Sequence, residues 1–108
     1  MTHVLVWLYE LARLHEHANR FENAEASLHS ALKMAETRFG SNDPRTSSAL
    51  NNLAQLLQAT HRLAEAEPLM RRALAIDEAS FGSEHPSVAR DLNNLARLLH
   101  ATDRLAEA

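Results

Sequence analysis

The 108-residue chain has no cysteine, two glycines, three prolines and one lysine, Lys33. Without cysteine there is neither a disulfide scaffold nor a thiolate metal site, which fits a reducing compartment. Aromatic residues make up 5% of the chain and β-branched residues do not cluster, so sheet is disfavoured. The scarcity of glycine and proline favours helix. The longest early apolar run, Val4 to Leu8, is too short to span a bilayer or form a signal-peptide core. A soluble, cytoplasmic protein with no membrane partner is expected. Eleven basic and fourteen acidic residues are interspersed for a net charge of -3, so no basic patch suggests nucleic acid. No glycine-rich phosphate loop, nucleophile motif or acid–base pair occurs, which predicts a non-enzymatic chain without cofactor.

What is present is repetition. Leu50-Asn51-Asn52-Leu53-Ala54 returns as Leu92-Asn93-Asn94-Leu95-Ala96, 42 residues later, and residues 43–66 match residues 85–108 at 15 of 24 positions. A looser copy lies upstream, where Leu8, Leu11, Ala12, Leu14, Arg20, Ala24, Ala31, Phe39 and Gly40 each meet an identical residue at the same offset. A period of this size implies a solenoid, in which each unit buries its apolar face against its neighbours. The expected divisions are residues 1–42, 43–84 and a partial third unit, 85–108. The third is read as a unit cut off just inside its second helix, making the chain a fragment of a longer array.

Within the middle unit Leu50, Leu53, Ala54 and Leu57 fall at i, i+3, i+4 and i+7, one face of a helix A over about Arg45 to Ala59. Asp43-Pro44 supplies a cap and a first-turn proline. After a polar turn at Thr60-His61-Arg62, Leu63, Ala66, Met70, Ala73, Leu74 and Ile76 define a helix B lasting to about Ser80. Gly40 and Gly82 follow the B helices, where a left-handed terminating residue is wanted. Pro68 removes one hydrogen bond inside helix B and predicts a slight bend. Alanines at Ala12, Ala24, Ala31, Ala54, Ala66 and Ala73 allow close helix approach. The fold class is therefore all-α, an α-solenoid of antiparallel helix hairpins.

Leu50-x-x-Leu53-Ala54-x-x-Leu57 and Ala66-x-x-x-Met70-x-x-Ala73 resemble the two helices of the tetratricopeptide repeat. The usual period of 34 is exceeded by eight residues, absorbed by a long helix B and its connector. Leu-Asn-Asn-Leu-Ala, Ala-Glu-Ala-Glu-Pro-Leu and Phe-Gly-Ser-x-His-Pro resemble the 42-residue repeats of the kinesin light chain and of many bacterial multidomain proteins. HEAT, armadillo and WD40 units have similar periods but not these residues. The only tryptophan, Trp7, lies in an apolar helical start and not in a Trp-Asp signature.

The resemblance implies that A helices line a concave wall and present side chains to an extended peptide of a protein partner. Its groove positions fall on Tyr9, Glu10, Arg13, Glu16 and His17 in the first unit, on Asn51, Asn52, Gln55 and Gln58 in the second, and on Asn93, Asn94, Arg97 and His100 in the third. Asn and Gln each carry a donor and an acceptor, suited to the peptide groups of an extended segment. Asn52 and Asn94 match the position that the resemblance links to ligand backbone. Arg13 and Arg97 would add a preference for acidic side chains, opposed locally by Glu10 and Glu16. A lysine-based carboxylate clamp is not expected, since Lys33 belongs to helix B. The plainer reading is that these groove positions are ordinary solvated helix faces, with Asn51 and Asn93 merely bonding neighbouring loops.

Of seven histidines, His15 and His17 invite a metal site, but residues two apart on a helix point about 200° apart and cannot share an ion. His15 stands where Leu57 and Leu99 do, which predicts a half-buried structural imidazole. The unfinished third unit is expected to leave Leu92, Leu95 and Leu99 uncovered. Either this last helix acts as the terminal cap of the stack or, the favoured outcome, two chains pair these faces or exchange helices as a symmetric homodimer. Two further readings are a structural assembly element and the sensor arm of a larger signalling protein.

Overall fold

The computed structural model describes the backbone of residues 2–18 and 20–107 and the side chains of residues 4–18 and 20–103. Five helices follow one another: α1 (Thr2–His17), α2 (Phe21–Phe39), α3 (Pro44–Ala59), α4 (Leu63–Phe81) and α5 (Pro86–Glu107). Each packs chiefly against its predecessor and successor, as expected for units too small to bury a core alone. The slab measures 45 × 37 × 19 Å, so its thin dimension is about two helix diameters. One layer holds the A helices α1, α3 and α5, and the other the B helices α2 and α4. Arg72 of α4 reaches Glu36 of α2 at 2.8 Å within the B layer.

The core follows the periodic faces. Leu53, Ala54, Leu56 and Leu57 of α3 join Ala24 and Leu28 of α2, Ala66 and Met70 of α4, and Leu95 and Leu98 of α5 in one buried cluster. Two smaller clusters flank it, Leu5 and Leu8 with Ala31, and Leu50 with Ala73 and Ile76. Alanines 12, 24, 31, 54, 66 and 73 are all at most 1% exposed, so backbones meet where larger side chains would hold them apart.

Local chemistry explains the helix ends. Asp43 accepts the Arg45 N–H at 2.9 Å, with Pro44 opening α3. The equivalent His85 fills the same role, its Nδ1 accepting the Ser87 N–H at 3.0 Å, and its ring stacks on Phe81 at 4.2 Å. In the first connector those tasks are divided, since Asp43 caps while Arg45 lies over the Phe39 ring at 3.5 Å. Gly40 and Gly82 have φ of 96° and 85°, but their ψ of 165° and 158° lies outside the left-handed helical region expected for them. That extended, positive-φ conformation is essentially reserved for glycine. α4 runs on through Pro68.

The α3–α4 turn closes with the Arg62 N–H on the Leu57 carbonyl at 2.7 Å and the His61 N–H on Gln58 at 3.0 Å. His61 sits at φ 63°. This is the six-residue helix-terminating motif, with histidine where glycine is commonest. The same long bond joins the Arg20 N–H to the His15 carbonyl at 2.7 Å. The repeat implies a third such turn at Thr102-Asp103-Arg104, yet α5 continues through it to Glu107.

Candidate binding groove and buried polar junction

The A helices bring most of the expected groove residues to two depressions. Between α1 and α3, Tyr9, Arg13, Glu16, Asn52 and Gln55 surround an open space of about 210 Å³ floored by Ala12 and Leu28. Between α3 and α5, Gln58, Arg97 and His100 line another of about 410 Å³ with Ala96 and Ala101. A further depression lies apart from this wall, at the start of α2 against Arg20, Phe21, Glu22 and Asn23.

Tyr9 is half-buried. Burial pushes its phenol pKa up, and the neighbouring Asn52 side chain draws it partly back. The contact with Asn52 lacks the geometry of a formed hydrogen bond, so the buried hydroxyl has no partner. Arg13 is exposed and pairs with Glu10 at 3.5 Å on its own helix, which reduces the free positive charge expected there. Gln55, Arg97, His100, Asn93 and His17 are exposed, while Asn52, Gln58 and Glu16 are half-exposed. His15 is half-buried, with Nδ1 enclosed and unpartnered.

The two Asn-Asn pairs are not equivalent. Asn51 is 5% exposed, turned away from the groove, and donates from Nδ2 to Asp91 Oδ1 of α5 at 2.8 Å. Asn51 is thus buried as a link between repeats and does not line the wall, and its partner lies in a helix where the plainer reading has a loop. Asn93, at the same register, is exposed because no further A helix lies beyond it among the described residues. Asn52 remains accessible beside Tyr9. Its counterpart Asn94 is 8% exposed, with Oδ1 accepting from Arg97 at 3.3 Å and Nδ2 buried without a partner. Of the expected self-association residues, Leu92 is 50% exposed and Leu99 partly so, whereas Leu95 is turned into the core at 6%. Leu95 lies on the edge of that face which α4 already covers, in the cluster with Ala66 and Met70.

A second constellation escaped the sequence reading. Asp77 and Asp91 are each 1% exposed at the α4–α5 contact. Ser47 of α3 donates to Asp77 Oδ2 at 2.8 Å, and Arg90 lies 3.6 Å from Asp77 and 3.4 Å from Asp91. Burial and the adjacent Asp91 carboxyl push Asp77 up to about 6, against the opposing pull of Ser47 and Arg90. The residues 42 positions before Ser47, Asp77 and Asp91 are Leu5, Ala35 and Ala49. One junction between repeats is therefore apolar and the next polar. The signal was in the sequence as three coordinated departures from the repeat, but only their shared location gives them meaning.

These features define a helix-hairpin solenoid with a side-chain-lined wall, and comparison places it more narrowly. The tetratricopeptide repeat family profile matches residues 3–79 and 45–108, and the chain belongs to that family. Crystal structures of a Podosopora anserina putative kinesin light chain with nearly identical TPR-like repeats, and of a point variant of it, superpose with TM-scores of 0.81 and 0.82 at 27% and 26% identity. Each match covers 95% of this chain and 49% of the other. BtubC (BKLC) from P. vanneervenii shares the fold, with a TM-score of 0.80 at 23% identity over 91% of this chain and 39% of that one. The chain thus spans less than half the length of these relatives. No curated protein gives a significant match. The kinesin-light-chain-like character read from Leu-Asn-Asn-Leu-Ala and Phe-Gly-Ser-x-His-Pro holds.

Repeats of this family generally mediate protein–protein interaction. Among the described residues no helix is long and apolar enough to cross a membrane.

Proposed function

We propose that the chain is a non-catalytic interaction module that takes an extended segment of a protein partner along the wall of α1, α3 and α5. The observation that carries this reading is the Tyr9 hydroxyl, buried and unpartnered beside the half-exposed Asn52. Buried polar groups are ordinarily satisfied, and a peptide N–H or C=O entering this depression supplies what is missing once the Tyr9 or Asn52 side chain shifts to uncover the hydroxyl. Gln55 and Arg13 border the same space, and Gln58, Arg97 and His100 continue the wall. The amide-rich surface suits main-chain recognition more than one particular sequence. We place the module in the cytoplasm, in keeping with a chain free of cysteine.

The test is a peptide-array pulldown followed by titration of the best binder. Tyr9→Phe removes one hydrogen bond, worth about 0.5 to 1.5 kcal/mol, and should weaken binding roughly two- to tenfold. Asn52→Ala should weaken it at least as much. Affinity unchanged in both would move the reading to an assembly element that binds only other repeats.

A second reading, self-association through α5, is favoured by Leu92, exposed to 50% in a row with Ala89 and Ala96. Light scattering of a strict monomer at high concentration would overturn it. The sensor-arm reading is decided by the sequence that flanks these repeats in the gene.

A further inference from the structure

The repeat register allows the two junctions between repeats to be compared residue by residue. At the first, Leu5 of α1, Ala35 of α2 and Ala49 of α3 are buried and apolar. At the second, the same register holds Ser47 of α3, Asp77 of α4 and Asp91 of α5. The two carboxyls are enclosed on opposite sides of the α4–α5 contact, within hydrogen-bonding reach of each other. Arg90 Nη2 lies against both, 3.6 Å from Asp77 Oδ2 and 3.4 Å from Asp91 Oδ1.

The charges of this cluster do not balance when both carboxyls are ionised. One guanidinium, itself half-exposed, then stands against two enclosed carboxylates. Asp91 Oδ2 is buried without a partner, so the cluster also lacks a donor. A single proton on the pair supplies that donor and removes the surplus charge. The other groups facing the carboxyls are Ser47 and Asn51 of α3, which donate at 2.8 Å to Asp77 and Asp91 respectively. Serine, asparagine and arginine do not titrate in the acid-to-neutral range. The proton is therefore the one variable of the cluster.

We propose that the junction between the second and third repeats is a proton-operated hinge. With one proton on the pair, α5 is held against α4 and, through Asn51, against α3. When that proton leaves, two like charges face each other where water is excluded, and separation of the helices relieves them. α4 and α5 are joined through residues 82–85, about which α5 turns. Burial and the neighbouring acid hold the Asp77 carboxyl up at about 6, so the hinge works between mildly acidic and neutral pH. The apolar first junction has no such response. Tyr9, at the register of Asn51, ionises only far above neutrality, since burial pushes its phenol up. Opening would carry Arg97 and His100 away from Gln58, and its effect on a bound segment rests on the groove reading above.

The chain has no cysteine, so spin labels can be attached at chosen cysteine pairs in the full chain. Arg13, Gln55 and Arg97 occupy one register on α1, α3 and α5, and all three are exposed. Gln55→Cys with Arg97→Cys spans the polar junction, and Arg13→Cys with Gln55→Cys spans the apolar one. From about pH 5 to about pH 7.5 the first label distance should lengthen and broaden, with its midpoint set by the raised carboxyl, while the second stays constant. Asp77→Asn, which keeps the shape of the side chain without its charge, should hold the first distance short throughout. Arg90→Gln removes the cation that favours the ionised pair and should move the midpoint to higher pH. Circular dichroism checks that every variant remains helical. A first distance that does not change in folded wild type overturns the hinge, whatever stability does across the same window. Equal lengthening at both junctions overturns it as well, since that is general loosening. A transition that survives Asp77→Asn, or a midpoint that Arg90→Gln leaves in place, would put the titrating group elsewhere and sink the proposal.

Discussion

Asn51 of α3 and Asp91 of α5, forty residues apart, meet through a 2.8 Å hydrogen bond from Nδ2 to Oδ1. The bond joins the A helices of successive repeats behind the groove wall. It also accounts for why Asn51 differs in role from Asn52. Asn51 looks toward the next repeat, whereas Asn52 lies beside Tyr9 of the preceding one. Asp91 in turn adjoins Asp77, which Ser47 holds from the opposite side. Side chains of three helices thus form one polar seam where the preceding junction has leucine and alanine.

Cutting this seam on one side should be worse than removing it. Asn51→Ala removes the shorter of the two donors to the buried Asp91 Oδ1, leaving Arg90 at 3.4 Å, and should cost about 1 to 3 kcal/mol. Removing the seam from both sides, as Ser47→Leu, Asn51→Ala, Asp77→Ala and Asp91→Ala together, should be less costly than the single change. Urea denaturation of the two variants checks the ranking. A quadruple variant less stable than Asn51→Ala would show that the seam is favourable overall.

The seam should also respond to pH. The Asp77 carboxyl is raised from 3.8 to about 6 in the folded chain, so the folded state holds its proton more tightly than the unfolded one. Its contribution is fully present below about pH 4 and lost as pH rises through about 6. Wild type should therefore lose stability relative to Asp77→Asn between about pH 4 and 7. Parallel stability curves for the two proteins across that window would exclude a raised Asp77 carboxyl.

Leu53 is 1% exposed at the centre of the largest cluster, and Leu53→Ala should cost about 2 to 5 kcal/mol. Gln55, two residues on, is exposed at the α1–α3 depression, and Gln55→Ala should stay within about 0.5 kcal/mol. Chemical denaturation separates them. Similar losses for both would mean that α3 does not present the faces described.

His61 occupies positive φ at 63°, a conformation that costs a side chain about 1 to 2 kcal/mol and glycine almost nothing. His61→Gly should raise the melting temperature by several degrees. A lower melting temperature would show that the imidazole contributes something the backbone geometry does not reveal.

Much of this architecture can be read along the chain, because a solenoid is nearly one-dimensional. The spacing of Leu50, Leu53, Ala54 and Leu57 marks the α3 core face, and Asp43-Pro44 marks its start. Both depend on residues within a few turns. The groove was legible only in part. Tyr9, Asn52, Gln55 and Arg13 do share one depression, whereas Asn51 is drawn inward by Asp91 and Arg13 is already engaged by Glu10.

The period, the helical class and the faces each helix buries are all written in the order of residues, since they follow from local spacing and propensity. Packing in three dimensions was needed to bring Asp77 and Asp91 into one pocket and to close Asn94 where Asn52 is open. Each of those outcomes depends on a neighbour outside the helix itself, which is not encoded in local periodicity.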